Sequence, residues 1–207
     1  MIKSRTRSTW RHPLLALSFV TLTAAPSFAQ RGAMTAPQSI DQLSQEATLI
    51  VRGYVSSAKV EPHPQLRNLM TVLVTMSVEE TLKGAPQKSL QFRQYIWDMR
   101  DQLDAAQYLK SEELLLLLGP VSQYGLRSPV GLEQGRFHII RDGKAEPMAL
   151  SGTGNLHLFT ATQERAQKSG IKLSARVMAL ATKSAASPGP VPLADLENAI
   201  RSFARTK

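Results

Sequence analysis

Residues 70–79, MTVLVTMSVE, set apolar and polar side chains in turn. Met70, Val72, Val74, Met76 and Val78 fall on one side of an extended chain, and Thr71, Thr75, Ser77 and Glu79 on the other, with Leu73 the single break. Successive side chains of a strand point to opposite faces, so a period of two over nine residues predicts a long strand with one buried face. Lys83-Gly84-Ala85-Pro86 ends it with turn chemistry.

Upstream, TLIVRGYV (48–55) is rich in β-branched side chains and reads as a partner strand. Gly53 in its middle predicts a bulge or a close backbone approach. The two prolines of EPHPQLRN (61–68) predict a loop between them. Downstream, SLQFRQYIW (89–97) alternates again, with Leu90, Phe92 and Ile96 on one side. Residues 98–111 are charged and read as a short helix or a loop. ELLLLL (113–118) is apolar on both faces, as a central strand covered on both sides would be. GPVSQYGLRSPVG (119–131) is a long loop, and RFHIIRDGKAEPMAL (136–150) reads as two strands joined by a tight hairpin at Asp142-Gly143.

Helical signals lie at the ends of this β-rich stretch. Ser39 caps a helix running to Ala47, with Ile40, Leu43 and Ala47 on one face. Residues 160–182 are compatible with helix. A last helix covers about 192–205, where Leu193, Leu196, Ile200 and Phe203 form one stripe that should dock on the sheet. Pro192 suits its first position, and Asp195, Glu197, Arg201 and Arg205 follow the helix dipole. The expected fold is α+β, mainly β: a five- or six-stranded antiparallel OB-like barrel or curled sheet with flanking helices.

The start of the chain predicts export. Lys3, Arg5, Arg7 and Arg11 precede an apolar run at 14–25 and a small-residue cleavage site at Ala29. The expected organisation is a signal peptide at 1–29, a flexible leader at 30–38, a β-rich domain at 39–183, a proline-rich linker at 184–192 and a docked C-terminal helix at 193–207. The run is shorter than the roughly 20 residues that span a bilayer, and no later run is longer. Cleavage leaves 21 basic against 16 acidic residues, a mild surplus. The basic residues are scattered, with no interleaved aromatics, so a nucleic-acid partner is not expected. The chain has no cysteine, which excludes disulfides, thiolate metal sites, a thiol nucleophile and lipoprotein processing. Together these features predict a periplasmic or secreted protein.

The motifs for chemistry are thin. His63, His138 and His157 have no metal-ligand spacing. Asp98, Asp101 and Asp104 share a helical face but lack the glycine and terminal glutamate of a calcium loop. Glu79-Glu80 and Glu112-Glu113 are adjacent, and neighbours on a strand point to opposite faces, so neither pair forms an acid/base couple. Ser151-Gly152-Thr153-Gly154-Asn155 lacks the lysine of a phosphate loop and reads as a turn. No cofactor and no metal are expected. A hydrolase of unfamiliar type would need His138 to meet Glu133 or Asp142. Tyr95, Trp97, Tyr108, Tyr124 and Phe137 are the aromatics of interest. Tyr95 and Trp97 lie on the strand face opposite Phe92, either as an exposed platform or as part of a second core under helices. Tyr95, Trp97 and Tyr124, with Arg93 and Arg127, form the candidate surface of a non-enzymatic module that binds a protein, a peptide or a cell-envelope glycan. A third possibility is an assembly role for the C-terminal stripe. The oligomeric state is not encoded in any motif.

ATLIVRGYVSSAKV (47–60) and TVLVTMSVEETLKG (71–84) resemble the opening strands of netrin-like domains, the OB-type barrels that include the tissue inhibitors of metalloproteinases. Together with EELLLLL (112–118), GLEQGRFHI (131–139) and VPL (191–193), they also resemble a group of secreted bacterial proteins. The resemblance implies a barrel topology and no catalytic residue. Netrin-like domains carry disulfides and the inhibitors act through an N-terminal cysteine, so that inhibitory chemistry is excluded here.

Overall fold

The structure, a computed structural model, describes residues 35–186 and 188–204. The expected signal peptide, the first part of the leader and Arg205 lie outside the described residues. The described residues belong to one compact unit.

The elements run α1 (Ile40–Glu46), β1 (Leu49–Pro62), β2 (Met70–Lys83), β3 (Ser89–Tyr95), α2 (Met99–Leu103), β4 (Glu113–Leu118), β5 (Arg136–Ile140), β6 (Met148–Ser151), α3 (Thr162–Lys168), α4 (Ala175–Ala186), β7 (Val191–Pro192) and α5 (Leu193–Ala204). The strands form one seven-stranded sheet in the order β3-β2-β1-β4-β5-β6-β7. Every pairing in it is antiparallel. The sheet is not closed: β3 and β7 are its two edges. What meets the β3 edge is the loop after β4, which bridges Arg93 at Leu126 and returns to Leu118 at Pro129. Seven strands replace the five or six expected, because Val191–Pro192 adds a short edge strand beside Met148–Ala149.

Each face of the sheet buries its own core. Ile50, Leu115, Leu117, Phe137 and Ala149 point to one face, where α1, α3, α4 and α5 cover them with Ile40, Leu43, Ala166, Val177, Leu196, Ile200 and Phe203. Val51, Val55, Val72, Val74, Met76, Leu90, Phe92, Leu114, Leu116 and Leu118 point to the other. There side chains of β1, β2, β3 and β4 form the cluster, and Ala106 and Tyr108 of the segment after α2 join it. β4 sits between the cores and all six of its residues are buried, which explains its run of leucines. The period-two reading of β2 and the stripe of α5 match these burials.

Gly53 lies at a register shift in the β1–β2 ladder, against the β2 backbone. Three expectations need correction. β3 ends at Tyr95, two residues before Trp97. The β5–β6 connection is a seven-residue loop turning at Asp142–Ala145, longer than a tight hairpin. The 184–192 stretch is no linker at its ends, since its small residues extend α4 to Ala186 and its last two form β7.

Candidate functional site

The candidate aromatic surface is built at one end of the β3 edge. Glu61, Thr71 and Tyr95 are cross-strand partners in a row over β1, β2 and β3. The Arg93 guanidinium lies across this row, donating from Nη1 to Thr71 Oγ1 at 2.8 Å and from Nη2 to Glu61 Oε1 at 2.6 Å. Thr71 is fully buried and donates in turn to the Glu61 carbonyl at 2.8 Å. Beyond the strand, Trp97 stands edge-on to Tyr95 with ring centroids 4.7 Å apart. Tyr95 is half-buried, and Trp97 remains 57% exposed. Aromatic pairs favour this edge-to-face arrangement, so Tyr95 fixes the exposed indole.

Tyr124 belongs to the neighbouring 119–131 loop. His63 holds that loop: its Nδ1 accepts backbone N–H groups of Gln65 and Leu66 at 3.2 and 3.1 Å, so its Nε2 carries the proton and donates to the Tyr124 carbonyl at 2.8 Å. Arg127 turns the other way, donating to the Gly119 carbonyl and to Thr48 Oγ1, each at 2.7 Å. Its backbone N–H bonds the Arg93 carbonyl at 2.8 Å. The structure thus brings Tyr95 and Trp97 together, ties Tyr124 through its backbone, and uses the Arg93 guanidinium to join strands and the Arg127 guanidinium to fasten the loop.

The surface continues into α2, which buries none of its residues. Asp98 caps it, accepting from the Arg100 N–H at 2.8 Å. Met99 and Leu103, four apart and so on one helical face, are 78% and 87% exposed. The backbone then winds left-handed, with positive φ at Ala105, Ala106 and Gln107. Arg136, 2% exposed, anchors this turn by donating from Nη1 to the Ala106 carbonyl at 2.7 Å. Arg136 also meets Glu133 at 2.6 Å and lies 4.7 Å over the Tyr108 ring. Burial pushes the Tyr108 phenol up to about 12, so it stays protonated and donates to Gln94 Oε1 at 2.7 Å. A Cβ at Gly152 would fall 2.4 Å from Glu133 Oε2, so glycine there leaves room for the carboxylate that meets Arg136.

His138 shares the Arg136 face of β5. Its carboxylate partner is Glu112, with Nδ1 and Oε1 2.6 Å apart, not Glu133 or Asp142. Glu133 is held by Arg136, and Asp142 lies in the exposed β5–β6 loop. His138 is therefore half-buried and paired with a carboxylate other than the two expected. Glu113 points to the opposite face, as adjacent strand residues must. There it meets Arg52 at 2.9 Å and Arg141 at 2.6 Å. Arg52 also reaches Glu80 and Glu197, and Arg201 of α5 meets the same two carboxylates. This network rivets α5 to the sheet.

Burial alone would raise Glu113 and Glu80, but bonds from Arg141 and Arg52 to the first, and from Arg201 and Arg52 to the second, more than offset it and hold both below the ordinary carboxylate range. As pH falls the unfolded chain therefore takes up protons before the folded one. The network's stabilisation is fully present above the ordinary carboxylate range and is lost as pH falls through the lowered values. A urea midpoint series from pH 7 to pH 3 should fall at the acid end, and a midpoint independent of pH would contradict the network's role.

Among the described residues no group of three or more histidine, aspartate or glutamate side chains is placed to hold a metal ion. No described helix is long and apolar enough to cross a membrane. Two open grooves on the helix layer, one lined by Lys172, Ser174 and Asn198 and the other between α3 and α4, include neither Trp97 nor His138. Comparison with protein-family models, with curated proteins and with solved structures gave no match to this chain.

Proposed function

We propose that the protein is an exported, non-enzymatic binding module, periplasmic or secreted, that contacts a protein or peptide partner through the aromatic end of β3 and the adjoining α2. The observation that carries this reading is the indole of Trp97, exposed and set edge-to-face with Tyr95, with the exposed side chains of Met99 and Leu103 following it in the chain. Buried aromatic anchors dominate protein interfaces, and methionine adapts to varied apolar partners. Tyr124 belongs to the same contact surface, while Arg93 and Arg127 act by holding its frame. The curl of β1–β4, with a loop across the β3 edge, is the level at which we keep kinship with netrin-like, OB-type barrels.

The test uses the chain from Gln30 onward, in which Trp97 is the sole tryptophan. Titrating fractionated envelope extract should move its emission to the blue as the partner covers it. Trp97→Ala should weaken capture of that partner about 30-fold, as loss of an interface anchor does, with no change in melting temperature. Full affinity in Trp97→Ala would overturn the assignment. A shift produced only by glycan fractions would reassign the surface to sugar. The 2.6 Å His138–Glu112 contact favours a second reading, since a carboxylate that orients an imidazole supplies two of the three members of a hydrolytic triad. Ester hydrolysis lost in His138→Ala but kept in Trp97→Ala would select it.

A further inference from the structure

We propose that Met99 is an oxidation site, at which a hydroperoxide converts the thioether to its sulfoxide and so releases the partner from the surface of Trp97, Met99 and Leu103. The release rests on the binding reading above; the site of oxidation does not.

The chain has no cysteine, so methionine holds all of its sulfur and takes the place a thiol would have in oxidation by peroxides. The oxidant must reach a sulfur lone pair, and burial therefore protects a thioether. Met76 is fully buried in the second core, Met70 and Met148 are half-buried, and Met178 is 37% exposed. Met99, at 78%, is the most open of the described methionines, on a helix that buries none of its residues. Its position gives the modification a consequence. Met99 follows the exposed indole of Trp97 by two residues and shares a helical face with Leu103.

The step is a two-electron oxygen transfer. A lone pair on Met99 Sδ attacks one oxygen of the hydroperoxide, an S–O bond forms and the O–O bond breaks. The other oxygen keeps the electron pair of that bond, takes up the proton and leaves as water or an alcohol. Sulfur is oxidised and the peroxide reduced, and no further reactant is needed. A thioether has no proton to lose, so the reaction does not wait on ionisation as that of a thiol does. The product is a polar, chiral side chain where a flexible apolar one stood. In the free protein the new oxygen faces water, and the fold is unaffected. Under an apolar partner it is a buried acceptor without a donor, which costs free energy in the complex alone.

Dilute hydrogen peroxide on the chain from Gln30 onward, followed by peptide mass mapping, tests the site. Met99 should gain its oxygen ahead of Met70, Met76, Met148 and Met178, with no change in melting temperature at that stage. The envelope fraction that shifts Trp97 emission is then titrated again. Its affinity for the oxidised chain should fall about tenfold, the factor for spoiling one buried apolar contact. The affinity should return after treatment with methionine sulfoxide reductases of both stereospecificities, which repair the thioether and leave a damaged indole as it is. In Met99→Leu, whatever its starting affinity, the same peroxide treatment should cause no fall. Oxidation of Met178 or of a half-buried methionine ahead of Met99 overturns the site. An oxidised Met99 with undiminished affinity, or a fall that persists in Met99→Leu, overturns the release. If no fraction shifts the indole even before oxidation, the binding reading fails and the release with it, while the mapping still decides the site.

Discussion

Gly53→Ala is expected to cost more than about 3 kcal/mol, beyond the usual range for overfilling a packed interior. A Cβ built there lies 2.0 Å from the Ser77 carbonyl oxygen and 2.9 Å from both the Ser77 carbonyl carbon and Val78 Cα. All three atoms are backbone, so no rotamer change relieves the contact. β1 is also hydrogen-bonded on its other side, where Gly53 pairs with Leu114. The strand cannot retreat from β2 without opening the β1–β4 ladder. Domains of this kind are stable by only about 5–15 kcal/mol, so a large part of the folded margin should go. Gly119→Ala is the control: its nearest neighbour would be 3.6 Å away, and a change within about 0.5 kcal/mol is expected. Urea unfolding of both variants checks the pair. Equal small losses would mean that β1 and β2 adjust freely.

Arg136→Met should also be damaging, at about 2–3 kcal/mol, the cost of leaving hydrogen-bond acceptors without the buried donors that satisfied them. The substitution keeps much of the side chain's length but strips the Glu133 carboxylate and the Ala106 carbonyl of their donors, and removes the cation over Tyr108. It also releases the left-handed turn, which nothing else in that stretch anchors so directly. The double variant Arg136→Met/Glu133→Gln should recover part of the loss, because the carboxylate left behind is then neutral. A single variant that costs under about 1 kcal/mol would show that Glu133 and the turn find water or other partners without strain.

Local periodicity made much of this fold legible. The alternation of β2, the two-sided burial of β4, the Ile40–Leu43–Ala47 face of α1 and the Leu193–Leu196–Ile200–Phe203 stripe of α5 are all readable because each repeats with the spacing of its own element. Gly53 was readable because a glycine amid β-branched neighbours has few other reasons to be there. What escaped depends on register between distant strands. Glu112 meets His138 across 26 residues, and only the β4–β5 pairing brings them together. No residue type announces the turn at Ala105–Gln107, since alanine favours the right-handed helix. Arg93 and Arg127 lie where the sequence placed a contact surface, yet their donors are spent on Thr71, Glu61, Gly119 and Thr48. That left the aromatic and methionine side chains, not the cations, to face outward.

A photoreactive residue at position 97, compared with one at Met178 on the exposed side of α4, puts the binding surface to its most direct trial. Crosslinked in the compartment where the protein resides, position 97 should yield one dominant protein adduct that disappears when Met99 and Leu103 are both changed to serine, while position 178 yields none of that product. The same adduct from both positions, or its survival in the serine variant, would contradict the assignment of this surface.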